Sequence, residues 1–130
     1  MKKILILLFI QLIGYNVFGA VNLSISGGIV PNSMYRGGSY PITIYVQNNG
    51  SSSTSAYFIV NVSINTVSTY GGQSWLLDIP VFGGISGNST ITLNTTITIP
   101  CTYSTGVRYI LAAVDSIPGA IAESNESDNN

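Results

Sequence analysis

Four of the five acidic residues, Asp115, Glu123, Glu126 and Asp128, fall within the last sixteen positions, interleaved with Asn125, Asn129 and Asn130. Carboxylate and amide oxygens are the hard ligands that calcium takes, so these four acids are the candidate metal ligands. Their spacing matches no EF-hand loop. Asp115 and Asn125 also stand where a side chain can accept hydrogen bonds from nearby backbone amides and fix a turn. That turn-fixing role is the expectation, with calcium the alternative and no other cofactor expected.

The residues that are missing restrict the chemistry further. The chain has no histidine and a single cysteine, Cys101. Neither a Ser-His-Asp nor a Cys-His arrangement can be assembled, and the commonest metal ligand is absent. No internal disulfide can form; Cys101 follows Ile99-Pro100 at a strand end, where a small, partly buried residue is expected. No catalytic residue is assigned, and the chain is expected not to be an enzyme. Charged residues make up 7% of the sequence, against about 25% in ordinary soluble domains. Beyond the first twenty residues only Arg36 and Arg108 are basic, so there is no electrostatic footprint for nucleic acid. Seventeen Ser, eleven Thr and twelve Asn must wet the surface with neutral polar groups. With so few groups to titrate, stability is expected to change little between acid and neutral pH.

Asn-Xaa-Ser or Thr triplets occur at Asn22, Asn49, Asn61, Asn88, Asn94 and Asn125, and each is a candidate glycosylation site in a host that modifies exported proteins. Asn22, Asn61 and Asn94 fall on the polar side of predicted strands, where a glycan would leave packing undisturbed. Of the aromatics outside the predicted core, Tyr45, Tyr57, Tyr70 and Trp75 would pack on sheet faces or stack on a ligand. Tyr70 and Trp75 are the ligand-surface candidates because they lie in the least regular segment, 66–84.

These residues must be positioned by strands. Met1-Lys2-Lys3 followed by the apolar run Ile4 to Ile13, with Val17-Phe18-Gly19 beyond it, reads as a secretory signal peptide over 1–20, cut after Gly19 or Ala20. The alternative is an uncleaved membrane anchor, which would be the chain's only contact with a membrane. From residue 21 to 130 apolar residues recur with period two, punctuated by turn residues. Leu23 and Ile25 open a strand ended by Gly27-Gly28. Ile42, Ile44 and Val46 share a face before a loop that begins at Asn48. Phe58, Val60, Val62 and Ile64 form the clearest alternation. A strand from Trp75 to Phe82 is bent or ended at Pro80, Ile91 to Ile99 make another, and Tyr109 to Ala113 the last. Six or seven short strands and no amphipathic helix predict an all-β chain with a single two-layer core.

The ending Asp115 to Asn130 resembles the terminal signature of the CARDB family, cell-adhesion-related domains of bacteria and archaea. The opening Asn22-Leu23-Ser24-Ile25, Gly37-Gly38, the Val46-Gln47-Asn48-Asn49-Gly50 strand end, Gly84-Ile85-Ser86 and the Tyr109 to Asp115 strand fit the same pattern over 21–130. The resemblance implies an extracellular or cell-surface, non-enzymatic, immunoglobulin-like or fibronectin-like β-sandwich that binds protein or glycan partners. In the family pattern the paired asparagines are followed by one more strand, so the sandwich is expected to lack its last strand or to close with 120–123. If it is open, a neighbouring copy can donate Val21-Asn22-Leu23-Ser24-Ile25 as a strand, and head-to-tail donation builds a filament. A carbohydrate-binding module centred on Trp75 is the remaining alternative.

Overall fold

The alternation of apolar and polar residues resolves into strands β1 (Leu23–Ile29), β2 (Ser39–Asn48), β3 (Phe58–Asn65), β4 (Ser74–Val81), β5 (Ser89–Thr98) and β6 (Tyr109–Val114). The computed structural model describes residues 20–54, 57–114, 121–125 and 127–130. The expected signal segment, except for Ala20, lies outside the described residues, as do Asp115 and Glu126. The strands form two three-stranded sheets, ordered β1-β2-β5 and β4-β3-β6, with every pairing antiparallel. Their inner faces meet in one core, to which β3 contributes Phe58, Val60, Val62 and Ile64 and β2 contributes Ile42, Ile44 and Val46. Each such side chain, once fully buried, contributes roughly 1.5–3 kcal/mol of transfer free energy. The all-β sandwich expected from the sequence is therefore present, with six strands among the described residues.

Three boundaries differ from the pattern reading, each for a tertiary reason. β1 does not end at Gly27-Gly28 but continues to Ile29, with a register shift between Ile25 and Gly27. A Cβ on Gly28 would stand 2.6 Å from Thr43 O, so glycine is what allows the neighbouring backbone so close. β4 passes through Pro80, which pairs with Ile59; β4 is an edge strand, where a missing N–H is tolerated. A bulge between Val62 and Ser63 accompanies the burial of Ser63 as well as its apolar neighbours. The Ser63 hydroxyl is satisfied by donating to Asn61 Oδ1 at 2.7 Å.

The third boundary matters most. β2 runs on to Asn48, which is fully buried rather than opening a loop. Its Nδ2 donates to Ser52 O (2.7 Å) and Ile85 O (3.2 Å), and its Oδ1 accepts the N–H groups of Asn22 (3.1 Å) and Gly50 (3.0 Å). All the polar capacity of one side chain thus serves backbone from four places. Gly50 must be glycine here, because a Cβ would collide with Ala20 O. Beside it, Thr54 N–H donates to Ile85 O (3.0 Å) and Ile85 N–H donates to Thr54 Oγ1 (2.7 Å), which holds the 84–86 step against the 50–54 loop.

The tail returns to the beginning of the fold. Ile121 is buried in the core, Glu123 forms an isolated parallel bridge with Val21, and Ser124 N–H donates to Val21 O at 2.9 Å. Of the closing segment expected at 120–123, the described part makes a single bridge rather than a strand. Replacing Asn48 by alanine removes the side-chain partner of Ser52 O and of the Asn22 and Gly50 amides and one of two donors to Ile85 O, so a loss of about 3 kcal/mol or more is expected in urea unfolding. Asn48→Asp, which turns an oxygen toward the two carbonyls, is expected to cost at least as much.

Candidate functional site

Among the described residues, sheet order gives β6 a strand neighbour on one side only, β3. Below the start of β6 lies a trough of ≈ 540 Å3 lined mainly by Val30, Pro31, Met34, Val107, Tyr109 and Ile110. Val107 is 75% exposed, Val30 42% and Tyr109 41%, so three of the nine large apolar residues left exposed among the described residues fall together on this trough. A second hollow of ≈ 320 Å3 continues along the strand past Ile25, Tyr70, Leu111 and Ala112 to Asn130, and the two share Ile110. At the far end Val114 N–H donates to Asn129 O at 2.8 Å, so the tail touches this edge. Arg108 lines the trough and is braced by donating to Ser104 Oγ (2.6 Å) and Ser104 O (3.2 Å).

The aromatic candidates are not brought together. Tyr70 faces the second hollow beside β6, and its hydroxyl is buried with no hydrogen-bond partner. Burial disfavours the phenolate and pushes its pKa up from 10.0 to about 12. Trp75 stands on β4, 62% exposed, with its indole N–H donating to Asp78 Oδ1 at 3.1 Å. Tyr57 and Phe82 stack on each other in the open, ring centroids 5.8 Å apart. Phe82, just past the end of β4, lies about 23 Å from Trp75 at strand rise, so no single aromatic platform spans them. Cys101, expected to be partly buried, is exposed, because it sits in the turn beyond β5 rather than in the strand.

The triplet asparagines differ in freedom. Asn94 is exposed on the outer side of β5 and accepts from Thr43 Oγ1 at 2.9 Å. Asn88 is exposed in the turn before β5, at a φ of 54° that asparagine tolerates better than most residues. Asn49 is exposed and donates to Ser24 Oγ. Asn125 is exposed and its Oδ1 caps Ser127, accepting from both N–H and Oγ. Asn61 is half-buried and donates to Asp78 Oδ1 across the strand pair (2.8 Å). Asn22 is half-buried too, and its Nδ2 donates to Asp128 Oδ2 at 3.2 Å.

Of the acidic candidates, Glu123 accepts the Leu23 N–H through Oε2 and Asp128 holds Asn22. Both therefore tie the tail to the first strand. Among the described residues no three His, Cys, Asp or Glu side chains converge on one point. The Asn125 contacts to Ser127 are the local turn-fixing kind expected from the sequence.

A profile of the CARDB family matches residues 20–130. The chain is a member of the CARDB family. A solved CARDB domain from Pyrococcus furiosus, in complex with di-metal ions, superposes with a TM-score of 0.64 at 20% identity, covering 86% of this chain and 88% of that one. Among curated proteins, none matches the chain. The shared fold is that of the β-sandwich described above, and CARDB membership suggests a non-enzymatic, adhesion-related module. The order β4-β3-β6 is that of strands C′, C and F in immunoglobulin-like sandwiches, where strand G lies outside F. Among the described residues the corresponding place beside β6 holds no strand, only the contact of Val114 N–H with Asn129 O.

Val107 and Tyr109 were not marked as site residues by the sequence. Val107 lies just before the strand predicted from Tyr109 to Ala113, and that pattern does not say which of its faces is left bare. Tyr70 carries a pH signature. The unfolded chain loses this proton near pH 10 and the folded one only near pH 12, so stability is unaffected below pH 10 and falls as the pH rises from there toward 12. Urea midpoints taken above pH 10 are expected to fall less steeply in Tyr70→Phe than in the parent. In a glycosylating host, glycopeptide mass spectrometry is expected to find Asn88 and Asn94 most occupied and Asn22, whose amide is engaged by Asp128, least.

Proposed function

We propose that this CARDB domain is a non-enzymatic adhesion module of an exported protein, and that it binds an extended segment of a protein partner along the free edge of β6. The observation that carries this reading is the coincidence of an unpaired strand edge with an apolar trough that runs beneath it past Val107, Tyr109 and Ile110. An open edge offers backbone N–H and C=O groups in register for one more strand, and pockets beside it select alternate side chains. Arg108, at the trough, favours an acidic residue on the incoming strand. Export is supported by the basic and apolar leader and by a surface wetted with Ser, Thr and Asn rather than charge.

Self-assembly by donation of 21–25 is less favoured by the geometry. Leu23 is 0% exposed in its own core and β1 pairs with β2 of the same copy from Leu23 onward, so a donor would first have to strip its own first strand. A sugar-binding face is less favoured because Trp75 and the Tyr57–Phe82 pair are far apart.

The test is selection of displayed linear peptides on the purified exported protein, followed by hydrogen exchange. Selected peptides are expected to alternate apolar residues, to protect the amides of 109–114, and to bind at least about tenfold more weakly to Val107→Glu and Tyr109→Glu. Both substitutions are at exposed positions, so folding is expected to survive. Protection of β4 or β5 instead, or binding lost in Trp75→Ala but kept in Tyr109→Glu, would overturn the assignment.

A further inference from the structure

Three loops, 30–38, 66–73 and 99–108, meet at one end of the sandwich. Gly37 N–H donates to Ile99 O and Ile99 N–H to Gly38 O, Arg36 Nη1 donates to Tyr103 O at 3.3 Å, and Thr66 and Gly72 border the same hollow as Tyr103 and Arg108. Of the nine large apolar residues left exposed among the described residues, five stand at this end: Val30, Tyr35, Val67, Val107 and, at the start of β6, Tyr109. The loops that carry them are tied down. Asn65 Nδ2 holds Thr69 O and Gly71 O at 2.9 and 3.0 Å, and Arg108 holds Ser104, so these side chains are presented without a further ordering cost.

Charge divides along the same axis. Both arginines of the chain, Arg36 and Arg108, lie in these loops, and none of its five acids does; Glu123 and Asp128 are held at the other end, by Leu23 and Asn22. No Asn-Xaa-Ser or Thr triplet falls in the three loops either, whereas Asn22, Asn49 and Asn88 stand at the other end, around Gly50. We infer that this end docks on an anionic lipid surface. Apolar side chains enter the boundary between headgroups and acyl chains while basic ones meet the phosphates, and a carboxylate among them would be repelled. Tyrosine suits the same depth, apolar in its ring and wet at its hydroxyl. A sugar is recognised by flat aromatic faces, and three of the five exposed residues here are valine. The trough beside β6 takes in only Val30, Val107 and Tyr109 of the five, so a peptide laid there leaves Tyr35 and Val67 bare, whereas a fluid lipid surface adapts to all of them. The contact is also distinct from any made through the segment before residue 20, because Ala20 O accepts the Ser52 N–H at the other end.

The test is co-sedimentation of the purified exported protein with vesicles of phosphatidylglycerol and of phosphatidylcholine. Binding is expected to phosphatidylglycerol, and to fall by about tenfold or more on phosphatidylcholine or when salt is raised from about 0.1 M to about 1 M, which shortens the screening length from about 10 Å to about 3 Å. Each basic side chain near such a surface changes partitioning about fivefold, so Arg36→Gln is expected to weaken binding by that factor. Tyr35→Ser and Val67→Ser are each expected to weaken it about threefold or more while leaving peptide binding at the trough unchanged, since neither residue lines it. Phe82→Ser, at the opposite end beside Tyr57, is expected to change nothing. All four substituted side chains are exposed, and should one variant fold poorly, the lipid and salt comparisons on the parent decide without it. No binding to phosphatidylglycerol, equal binding to both lipids, or a loss in Phe82→Ser as large as in Tyr35→Ser would overturn the lipid assignment. Indifference to vesicles together with capture of a protein through Tyr35 and Val67 would overturn it in favour of a protein partner.

Discussion

The buried amide of Asn48 is the constraint on which the sandwich depends. A two-layer β fold has to carry its chain from one sheet to the other, and every crossing brings backbone donors and acceptors to the rim of an apolar core. Here one side chain answers four of them: it receives the amides of Asn22 and Gly50 and gives its own two protons to Ser52 and Ile85. Those partners belong to the entry into β1, the end of β2 and the loops preceding β3 and β5. The register of the first sheet, the approach of Gly50 to Ala20 O and the seat of Ile85 in the core all follow from satisfying that one amide.

A second constraint comes from strand number. Three strands in each sheet cover the core from both faces but leave four edges. β4 carries Pro80, which cannot donate to an added strand. β5 exposes Thr92, Thr96 and Thr98 on its outer face and β6 reads Tyr-Ile-Leu-Ala-Ala-Val, and neither holds a proline. Among the described residues, the edges therefore differ in how readily each could accept a further strand.

Much of the fold was legible because β3 and β2 obey period two with little interference, so that alternation alone identified their buried faces. What was not legible depended on contacts between distant segments. Gly27 and Gly28 read as a terminator until Thr43 O is seen to press against Gly28, and Asn48 read as a loop residue because the value of a buried amide lies in partners up to 37 positions away. The acidic tail was recognisable as a feature, yet its ordering onto Asn22 and Leu23 was not, since both lie a hundred or more positions earlier in the chain. The trough was hidden for the same reason: nothing in the local pattern of 107–110 records that the opposite wall, Val30 to Met34, stands back from it.

The bridge between Val21 and Glu123 is parallel, and it joins the first segment of the fold to its last. Two parallel segments pulled apart by their outward-leading ends slide along one another rather than peel open. Tension transmitted through the module therefore loads Ser124 N–H to Val21 O, Leu23 N–H to Glu123 and Asn22 to Asp128 together, in shear. These bonds share such a load and give way together rather than one after another.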